Sequence, residues 1–487
     1  MKILVIGLDC AAPDVLFGHD KLGNIRSLMD AGCWGRLESV NPPITVPAWM
    51  CMSTSLDPGS LGVYGFRNRS DHSYDGLSIV DSRSIRELAM WDQVAREGGR
   101  SVVIGVPPSF PPRKVNGVSV SCFMTPDTTG YEYTWPHGAR HEIEELVGEY
   151  PVDVKGFRTA DKERLLAEIH EMTRKHFQVV RHFLAKGDWE YFQFVEIGLD
   201  RMHHGFWKHH DPSHVDHDPQ SPYRNAIRDY YRLLDQEIGE IFALLDEETL
   251  VLVVSDHGAR PLDGGFCVNE WLVREGYLVL DEYPKAVTPF GELAVDWRRT
   301  KAWSEGGYYA RVFLNIEGRE PSGPVDPADA AALRDEIAAG LEAAPGPDGR
   351  PLGTVAFKPE EIYRELKNVP PDLIVHFGGL AWRSIGGVGY GALHLRENDT
   401  GPDDCNHDTY GAFVLAGPGV GARGEIRGAR LLDVAPTLLE LGGYDVPEGM
   451  QGRMLPTVGG PRPEPPDVPD EAEAIIRRRL SGLGYLG

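Results

Sequence analysis

The stretch at residues 251–258 constrains the fold more than any other part of the chain. It reads Val-Leu-Val-Val-Ser-Asp-His-Gly, so an apolar run rich in β-branched residues leads directly into an Asp-His pair. Such a run is typical of a strand buried on both faces, as in a parallel sheet. Open α/β sheets place their sites at the carboxyl ends of such strands. Asp256 and His257 are therefore candidate metal ligands, with ordinary hydrogen bonding at a strand end as the alternative.

Strands and helices alternate on both sides of this stretch. Strands are expected at residues 3–8, 101–106, 191–197 and 412–417, and helices at 85–97, 161–186 and 226–245. In the last two helices, apolar residues recur three or four apart on one face. The alternation predicts an α/β fold with a mostly parallel central sheet and helices on both faces.

The alternation is interrupted by residues 268–395, which we predict to form an inserted subdomain that covers the substrate side of the site. Residues 1–267 and 396–458 would form the metal-binding catalytic core. Residues 459–487 are expected to be a Pro-rich linker and a C-terminal tail helix. Residues 107–156, rich in Pro, Gly and aromatic residues, are expected to be irregular. Substrate specificity is expected to come from residues 107–156 and 268–395.

The net charge of -24 makes a long nucleic acid an unexpected partner, because the chain repels polyanions. A small phosphorylated substrate fits, since bound metal ions invert the local field. The six cysteines are scattered without a CxxC pair, so no Cys-rich zinc module or disulfide framework is expected. The chain has no run of 18 apolar residues and no signal-peptide pattern at its start, so we expect a cytoplasmic protein without a membrane partner.

Several polar side chains follow predicted strands. Asp9, Asp200 and the pair Asp256-His257 each come after a strand, and the carboxyl ends of parallel strands meet at one edge of a sheet. His204 lies four residues after Asp200, on the same face if that turn is helical. Thr45 and His407 lie in loops that can reach the same edge. Three Asp, three His and a hydroxyl are the set that two adjacent zinc-like ions need.

Alternatives exist for two of the histidines and for the hydroxyl. His203, His209 and His210 compete with His204, and His394 competes with His407. Prolines on both sides of Thr45 fix its backbone, and a helix is expected from Trp49 onward. Thr45 would then lie near a helix N-terminus that favours anions, or it would act simply as a helix cap.

These segments resemble the alkaline phosphatase superfamily, and within it the type I phosphodiesterase/nucleotide pyrophosphatase branch. The resemblance covers nearly the whole chain and depends on five segments in the expected order. They are Gly7-Leu8-Asp9, Thr45-Val46-Pro47, Asp200-x-x-x-His204, Ser255-Asp256-His257-Gly258, and His407 ahead of Gly411-Ala412-Phe413.

The resemblance implies a hydrolase of phosphoric esters that uses two divalent metal ions, zinc or alternatively manganese. It implies that Asp200, His204 and His407 bind one ion. It implies that Asp9, Asp256 and His257 bind the other, together with the Thr45 oxygen. The second ion would lower the pKa of the hydroxyl, so that Thr45 attacks phosphorus. The first would stabilise the leaving oxygen and then activate the water that hydrolyses the phospho-threonine.

The sequence departs from the family pattern at Ala48, where nucleotide pyrophosphatases usually have an Asn that binds a phosphoryl oxygen. The metals, backbone N–H groups near Thr45, or the side chains of Asn41, Arg67 and Arg69 are candidates for that role. The motif Thr45-x-Pro-x-Trp49 also lacks the Cys or Ser and the Arg of formylglycine-dependent sulfatases, which makes such a sulfatase an unfavoured assignment.

We therefore predict a phosphodiesterase or nucleotide pyrophosphatase that acts on a small phosphorylated substrate, nucleotides included. A phosphomonoesterase of the same superfamily is the main alternative. A metal-free binding protein of the same fold is a weaker one, because it would have no need for the full set of ligands. A serine hydrolase is disfavoured, because no G-x-S-x-G elbow follows a strand.

Overall fold

The computed structural model of the chain describes residues 1–421 and 424–457. Within these ranges the strands are β1 (Lys2–Leu8), β2 (Cys33–Glu38), β3 (Arg67–Arg69), β4 (Leu77–Ile79), β5 (Ser101–Ile104), β6 (Gly117–Val120), β7 (Thr134–Trp135), β8 (Tyr191–Glu196), β9 (Thr249–Val254), β10 (Gly258–Pro261), β11 (Gly264–Cys267), β12 (Ala302–Glu305), β13 (Ala310–Leu314), β14 (Val355–Phe357), β15 (Leu373–His376), β16 (Trp382–Ile385), β17 (His394–Leu395), β18 (Cys405–Asp408), β19 (Tyr410–Ala416), β20 (Gly424–Glu425) and β21 (Ala429–Arg430).

The helices in the same ranges are α1 (Pro13–Gly18), α2 (Gly23–Ala31), α3 (Thr45–Thr54), α4 (Pro58–Leu61), α5 (Met90–Arg96), α6 (Gly138–Val147), α7 (Lys162–Ala185), α8 (Gly198–His210), α9 (Ala226–Phe242), α10 (Val268–Arg274), α11 (Ala330–Ala343), α12 (Pro359–Ile362) and α13 (Val434–Gly442). Short 3₁₀ segments occupy Phe290–Glu292, Gly378–Leu380 and Leu431–Asp433. No helix in the described part of the chain has the length and apolar character needed to cross a membrane.

A ten-stranded sheet lies at the centre of the molecule. Its order is β20-β2-β19-β9-β1-β8-β5-β6-β7, and β21 also pairs with β2. Strands β9, β1, β8, β5 and β6 are parallel to one another. Strand β19 is antiparallel to both β9 and β2, and β7 is antiparallel to β6. The predicted mostly parallel sheet is confirmed.

Both faces of this sheet are covered by helices, as β1 shows most clearly. Leu4, Ile6 and Leu8 point into one apolar core, which also contains side chains of α2 and α6–α9. Ile3 and Val5 alternate with them and point into a second core formed with α3, α5 and α13. Burial on both faces explains why the central strands are continuous apolar runs without alternation.

Residues 302–376 contain a separate four-stranded sheet of order β12-β13-β15-β14. Its side chains pack with α10 and α11 in an apolar cluster of their own, which includes Trp271, Val312 and Ile337. The division of the chain into a catalytic core and an inserted subdomain at 268–395 stays a prediction. Residues 459–487, for which a linker and a tail helix were expected, lie outside the described residues.

The segment 107–156 is more regular than its composition indicates. Strand β6 extends the central sheet by pairing in parallel with β5, β7 pairs with β6, and α6 follows. These strands are two to four residues long, too short to show a sequence period, so tertiary pairing rather than local pattern determines them. The helix expected at 85–97 begins only at Met90, where the Asp92 carboxylate accepts a hydrogen bond from Ala89 N.

The strand order β9-β1-β8 places three carboxyl ends side by side. Asp9 follows β1, Asp256 and His257 follow β9, and Asp200 lies in the first turn of α8, directly after β8. The antiparallel ribbon of β10 and β18 pairs Ala259 with His407 and so brings the last ligand to the same edge.

Candidate metal centre

The structure brings the six predicted metal ligands and Thr45 together at this edge of the sheet. His257 lies in the middle of the first group. Its Nε2 is 3.3 Å from Thr45 Oγ1, 3.2 Å from Asp256 Oδ2 and 3.8 Å from Asp9 Oδ1. Asp9, Asp256 and His257 offer ligand atoms within 4.8 Å of one another.

Asp200 lies in the middle of the second group. Its Oδ1 is 3.3 Å from His204 Nε2 and 3.6 Å from His407 Nε2. The rings of His407 and His257 are stacked with centroids 3.8 Å apart, so the two groups adjoin. Asp200, His257 and His407 also form a group of potential ligands within 4.8 Å, which shows how closely the two sets approach.

The carboxylates of Asp9, Asp200 and Asp256 each have one bonded and one free oxygen. Asp9 Oδ2 accepts from Trp49 Nε1 at 2.7 Å, Asp256 Oδ1 accepts from Cys10 N at 3.2 Å, and Asp200 Oδ2 accepts from Arg201 Nη1. The other oxygens are buried and have no hydrogen-bond partner in the described part of the chain. These free oxygens are the ones that face the histidine Nε2 atoms. Because an unpaired buried acceptor is costly, this arrangement fits bound cations.

The three histidines are oriented by their Nδ1 atoms. His257 Nδ1 donates to Gly258 O at 3.1 Å, and His407 Nδ1 donates to Pro43 O at 3.0 Å. His204 Nδ1 lies 2.6 Å from Asp403 Oδ1. With Nδ1 as the donor, Nε2 is left as the lone-pair atom that faces the carboxylates, which is the usual arrangement of metal-binding histidines.

Electrostatics in the group favour a cation as well. Burial and the neighbouring Asp200 raise the pKa of Asp9 well above its usual value, and burial and Asp9 raise the pKa of Asp256. Burial acts in the same direction on Asp200, but the charges of His204 and Arg201 outweigh it and lower the pKa of that carboxyl. Without an ion His204 carries this charge, because the Asp403 carboxylate outweighs burial and raises the pKa of the ring; a bound cation would displace the Nε2 proton. Burial also lowers the pKa of His257 to about 4, so its ring is neutral at neutral pH, the form that binds metals.

Thr45 is the first residue of α3, so the helix begins four residues before the Trp49 start expected from the sequence. Its side chain is buried among the ligands, and Ile44 at the N-cap provides no side-chain cap. In the first turn, Pro47 has no N–H group and Ala48 N bonds to Ile44 O. The N–H groups of Thr45 and Val46 have no hydrogen-bond partner among the described residues, so they remain available for an anion. The early start of the helix confirms the predicted N-terminal position of Thr45.

The competing histidines lie elsewhere. His203 Nε2 is 3.5 Å from the Tyr231 hydroxyl, and the His394 Nε2 lies 2.9 Å from Pro345 O. His209 and His210 end α8. The structure thus places His204 and His407, rather than these four, beside Asp200.

Sequence reasoning missed Asp403, Arg201 and Trp49 as supporting residues. Asp403 is buried beneath His204 and also accepts a hydrogen bond from Arg158 Nε at 2.8 Å. Its position four residues before His407 was the only sequence signal available. Cys405 Sγ also lies 3.5 Å from His204 Nδ1, but the 2.6 Å bond to Asp403 already occupies that nitrogen.

Asp403→Asn is expected to weaken zinc binding by about tenfold to a hundredfold, because it removes the charge that fixes the orientation and basicity of His204. The measurement is a zinc titration against a competing chelator. Asp404→Asn is the matched control, since the neighbouring Asp404 carboxylate faces Lys208 at 3.2 Å instead. Equal zinc affinities in both variants would show that Asp403 does not support the metal ligand.

A cavity of about 290 Å³ opens onto Thr45, Asp200 and His407. Besides Ile44, Gly306 and Gly307, its other lining residues are aromatic or basic: Phe66, Phe123, Phe157, Tyr308, Tyr309, Arg67, Arg158, Arg201, Arg311 and Arg383. Among the candidate substrate contacts, Arg67 lines this cavity. The structure does not bring Asn41 and Arg69 to it. Asn41 lines a separate surface cavity, and Arg69 is buried in an ion pair with Glu320 at 3.1 Å.

Comparison with known proteins adds the family to this geometry. The family model described as type I phosphodiesterase / nucleotide pyrophosphatase matches residues 3–403. Among curated proteins, none matches the chain in sequence.

Solved structures with a similar fold include two that contain phosphorus-bearing ligands. One is murine ectonucleotide pyrophosphatase/phosphodiesterase 5, as an inactive threonine-to-alanine variant in complex with AMP. It has 15% identity and a TM-score of 0.53, with 92% of this chain and 96% of that chain covered. The other is phosphonoacetate hydrolase from Sinorhizobium meliloti 1021 in complex with phosphonoformate. It has 15% identity and a TM-score of 0.58, with 91% and 96% covered. At such identities the likeness shows a shared fold.

Proposed function

Because the chain belongs to the type I phosphodiesterase/nucleotide pyrophosphatase family, whose members are metal-dependent hydrolases of phosphoric esters, we propose that it cleaves phosphodiesters through a covalent intermediate on Thr45. The observation that carries the proposal is the set of three buried, unpaired carboxylate oxygens that face histidine Nε2 atoms beside the Thr45 hydroxyl. This donor set fits two divalent ions and a nucleophile in one cluster.

One ion would be held by Asp9, Asp256 and His257, and the other by Asp200, His204 and His407. Mixed carboxylate and imidazole ligands, three per ion, suit zinc, with manganese as the alternative. When bound, the ions neutralise the phosphoryl group and lower the pKa of the Thr45 hydroxyl and of water.

The proposed reaction consists of two successive substitutions at phosphorus. Thr45 Oγ1, its proton lost to water, forms a bond to phosphorus while the bond to the ester oxygen breaks and that oxygen leaves with the electron pair. A water molecule next forms a bond to phosphorus, the bond to Thr45 breaks, and the hydroxyl regains a proton. The inactive threonine-to-alanine variant of the murine relative supports a threonine in this role.

The first turn of α3 takes over the task that an Asn at position 48 would perform. The N–H groups of Thr45 and Val46 lie at the positive end of this ten-residue helix, beside the reacting hydroxyl. In this proposal they donate to a phosphoryl oxygen, so Ala48 does not remove oxyanion binding.

The test is turnover of bis-p-nitrophenyl phosphate against p-nitrophenyl phosphate, with zinc or manganese added. We expect a higher kcat/KM for the diester. A preference for the monoester would keep the metals and Thr45 but make the protein a phosphomonoesterase. No turnover of either ester with metal bound would contradict the proposal and favour a binding protein of the same fold.

A further inference from the structure

Five arginines line the cavity beside Thr45, although the chain as a whole has a net charge of -24. Two of them are held by carboxylates. Arg201 makes two hydrogen bonds to Asp153, at 2.9 and 2.7 Å, and Arg158 bonds to Asp403. Arg67 is half exposed and lies 3.6 Å from Glu305. These three have counter-charges within the protein.

Arg311 has no such counter-charge. Its residue surface is 6% exposed, and Nη1 donates to the carbonyl of Arg67. No carboxylate of the described residues lies within ion-pair distance of it. A buried guanidinium without a negative partner is costly, because desolvation is not repaid.

The positive charge of Arg383 is only partly neutralised by nearby carboxylates. It is 8% exposed, and its Nε and Nη1 have no hydrogen-bond partner in the described ranges. The nearest carboxylate oxygens are those of Asp403 at 3.5 Å and Asp399 at 3.7 Å. Asp403 already bonds to His204 and Arg158, so it does not neutralise Arg383 fully.

Arg383 is set off from the metal ligand His407 by Tyr308. The Tyr308 ring stacks on His407 with centroids 4.3 Å apart, and the Arg383 guanidinium lies 4.9 Å from the same ring. Arg311 lies on β13 and Arg383 on β16, both outside the central sheet. Among the described residues, neither guanidinium bonds to Thr45 or to one of the six metal ligands, so we assign the anion that they bind to a part of the substrate other than the phosphoryl group at Thr45.

We infer that the substrate carries a second anionic group, a phosphate or a carboxylate, which Arg311 and Arg383 bind in this cavity. The inference rests on the proposed function for the position of the reacting phosphoryl group. Guanidinium groups bind both anions through paired hydrogen bonds, and the missing negative charge is then supplied by the substrate.

The test compares three probes by calorimetric titration into the zinc-loaded protein at constant free zinc. Methylphosphonate has one anionic group, whereas methylenediphosphonate and phosphonopropionate add a second phosphonate or a carboxylate. We expect at least one of the two-group probes to bind about tenfold or more tightly than methylphosphonate. Tighter binding of methylenediphosphonate would indicate a phosphate as the second group, and tighter binding of phosphonopropionate would indicate a carboxylate.

The quantity compared between variants is the affinity for the better two-group probe divided by the affinity for methylphosphonate. In Arg311→Gln and in Arg383→Gln this affinity ratio is expected to fall towards one. Arg299→Gln is the control, because Arg299 is 72% exposed on its side chain and pairs only with Asp296 at 3.8 Å. A ratio near one in the wild-type protein overturns the inference, whether or not the variants fold. A ratio that both folded variants keep overturns it too. Since binding is measured without turnover, a failed diesterase assay is a separate result.

Discussion

Thr45→Ala is expected to lower kcat for bis-p-nitrophenyl phosphate by about a thousandfold or more, while the bound metal content stays near that of the wild type. The Thr45 hydroxyl is the proposed nucleophile, and its Oγ1 lies 3.3 Å from His257 Nε2. Loss of a nucleophile typically removes most of the catalysed rate and leaves only binding and charge stabilisation. Stopped-time assays with metal analysis of the same samples give both quantities.

Thr45→Ser is the matched control for that experiment. It keeps a hydroxyl at the first position of α3 and should retain turnover within about tenfold of the wild type, since only a methyl group is lost. Turnover of Thr45→Ala within tenfold of the wild type would mean that water, rather than this side chain, attacks phosphorus.

Removal of the metal is expected to abolish turnover and to lower the free energy of unfolding. The physical reason is the three buried carboxylate oxygens that have no hydrogen-bond partner among the described residues. At a zinc concentration one thousand times the dissociation constant, a single site adds about 4 kcal/mol of stability. Thermal unfolding of chelator-treated protein, with and without added zinc, measures the effect, and readdition should restore turnover.

Asp256→Asn tests whether this stabilisation comes from the proposed ligands. Its midpoint of thermal unfolding should rise much less on addition of zinc than that of the wild type. Asp188→Asn is the control, because that side chain is 56% exposed and pairs with Arg100 at the surface. An equal rise in Asp256→Asn and the wild type would show that zinc binds somewhere else.

Much of the site was predictable because a parallel sheet gathers the carboxyl ends of its strands. Asp9, Asp200, Asp256 and His257 needed only the positions of β1, β8 and β9, which are strands rich in apolar residues. The structure adds the strand order, with β1 between the other two. His204 followed from the helical spacing to Asp200.

Two of the supporting residues, Trp49 and Asp403, were not predictable, because their contacts join distant parts of the chain. Trp49 reaches Asp9 from forty residues away, and Asp403 reaches His204 from 199 residues away. Arg311 and Arg383 show nothing unusual in the sequence. Only the burial of their side chains without matching carboxylates distinguishes them from the exposed arginines.

The most direct test of the account is the stereochemical course at phosphorus. A p-nitrophenyl diester of thiophosphate with one configuration at phosphorus is hydrolysed in water enriched in ¹⁸O, and the configuration of the product is determined. Attack by Thr45 followed by attack by water inverts the centre twice, so the account predicts net retention. Net inversion would show a single direct attack by water and would contradict the covalent intermediate on Thr45.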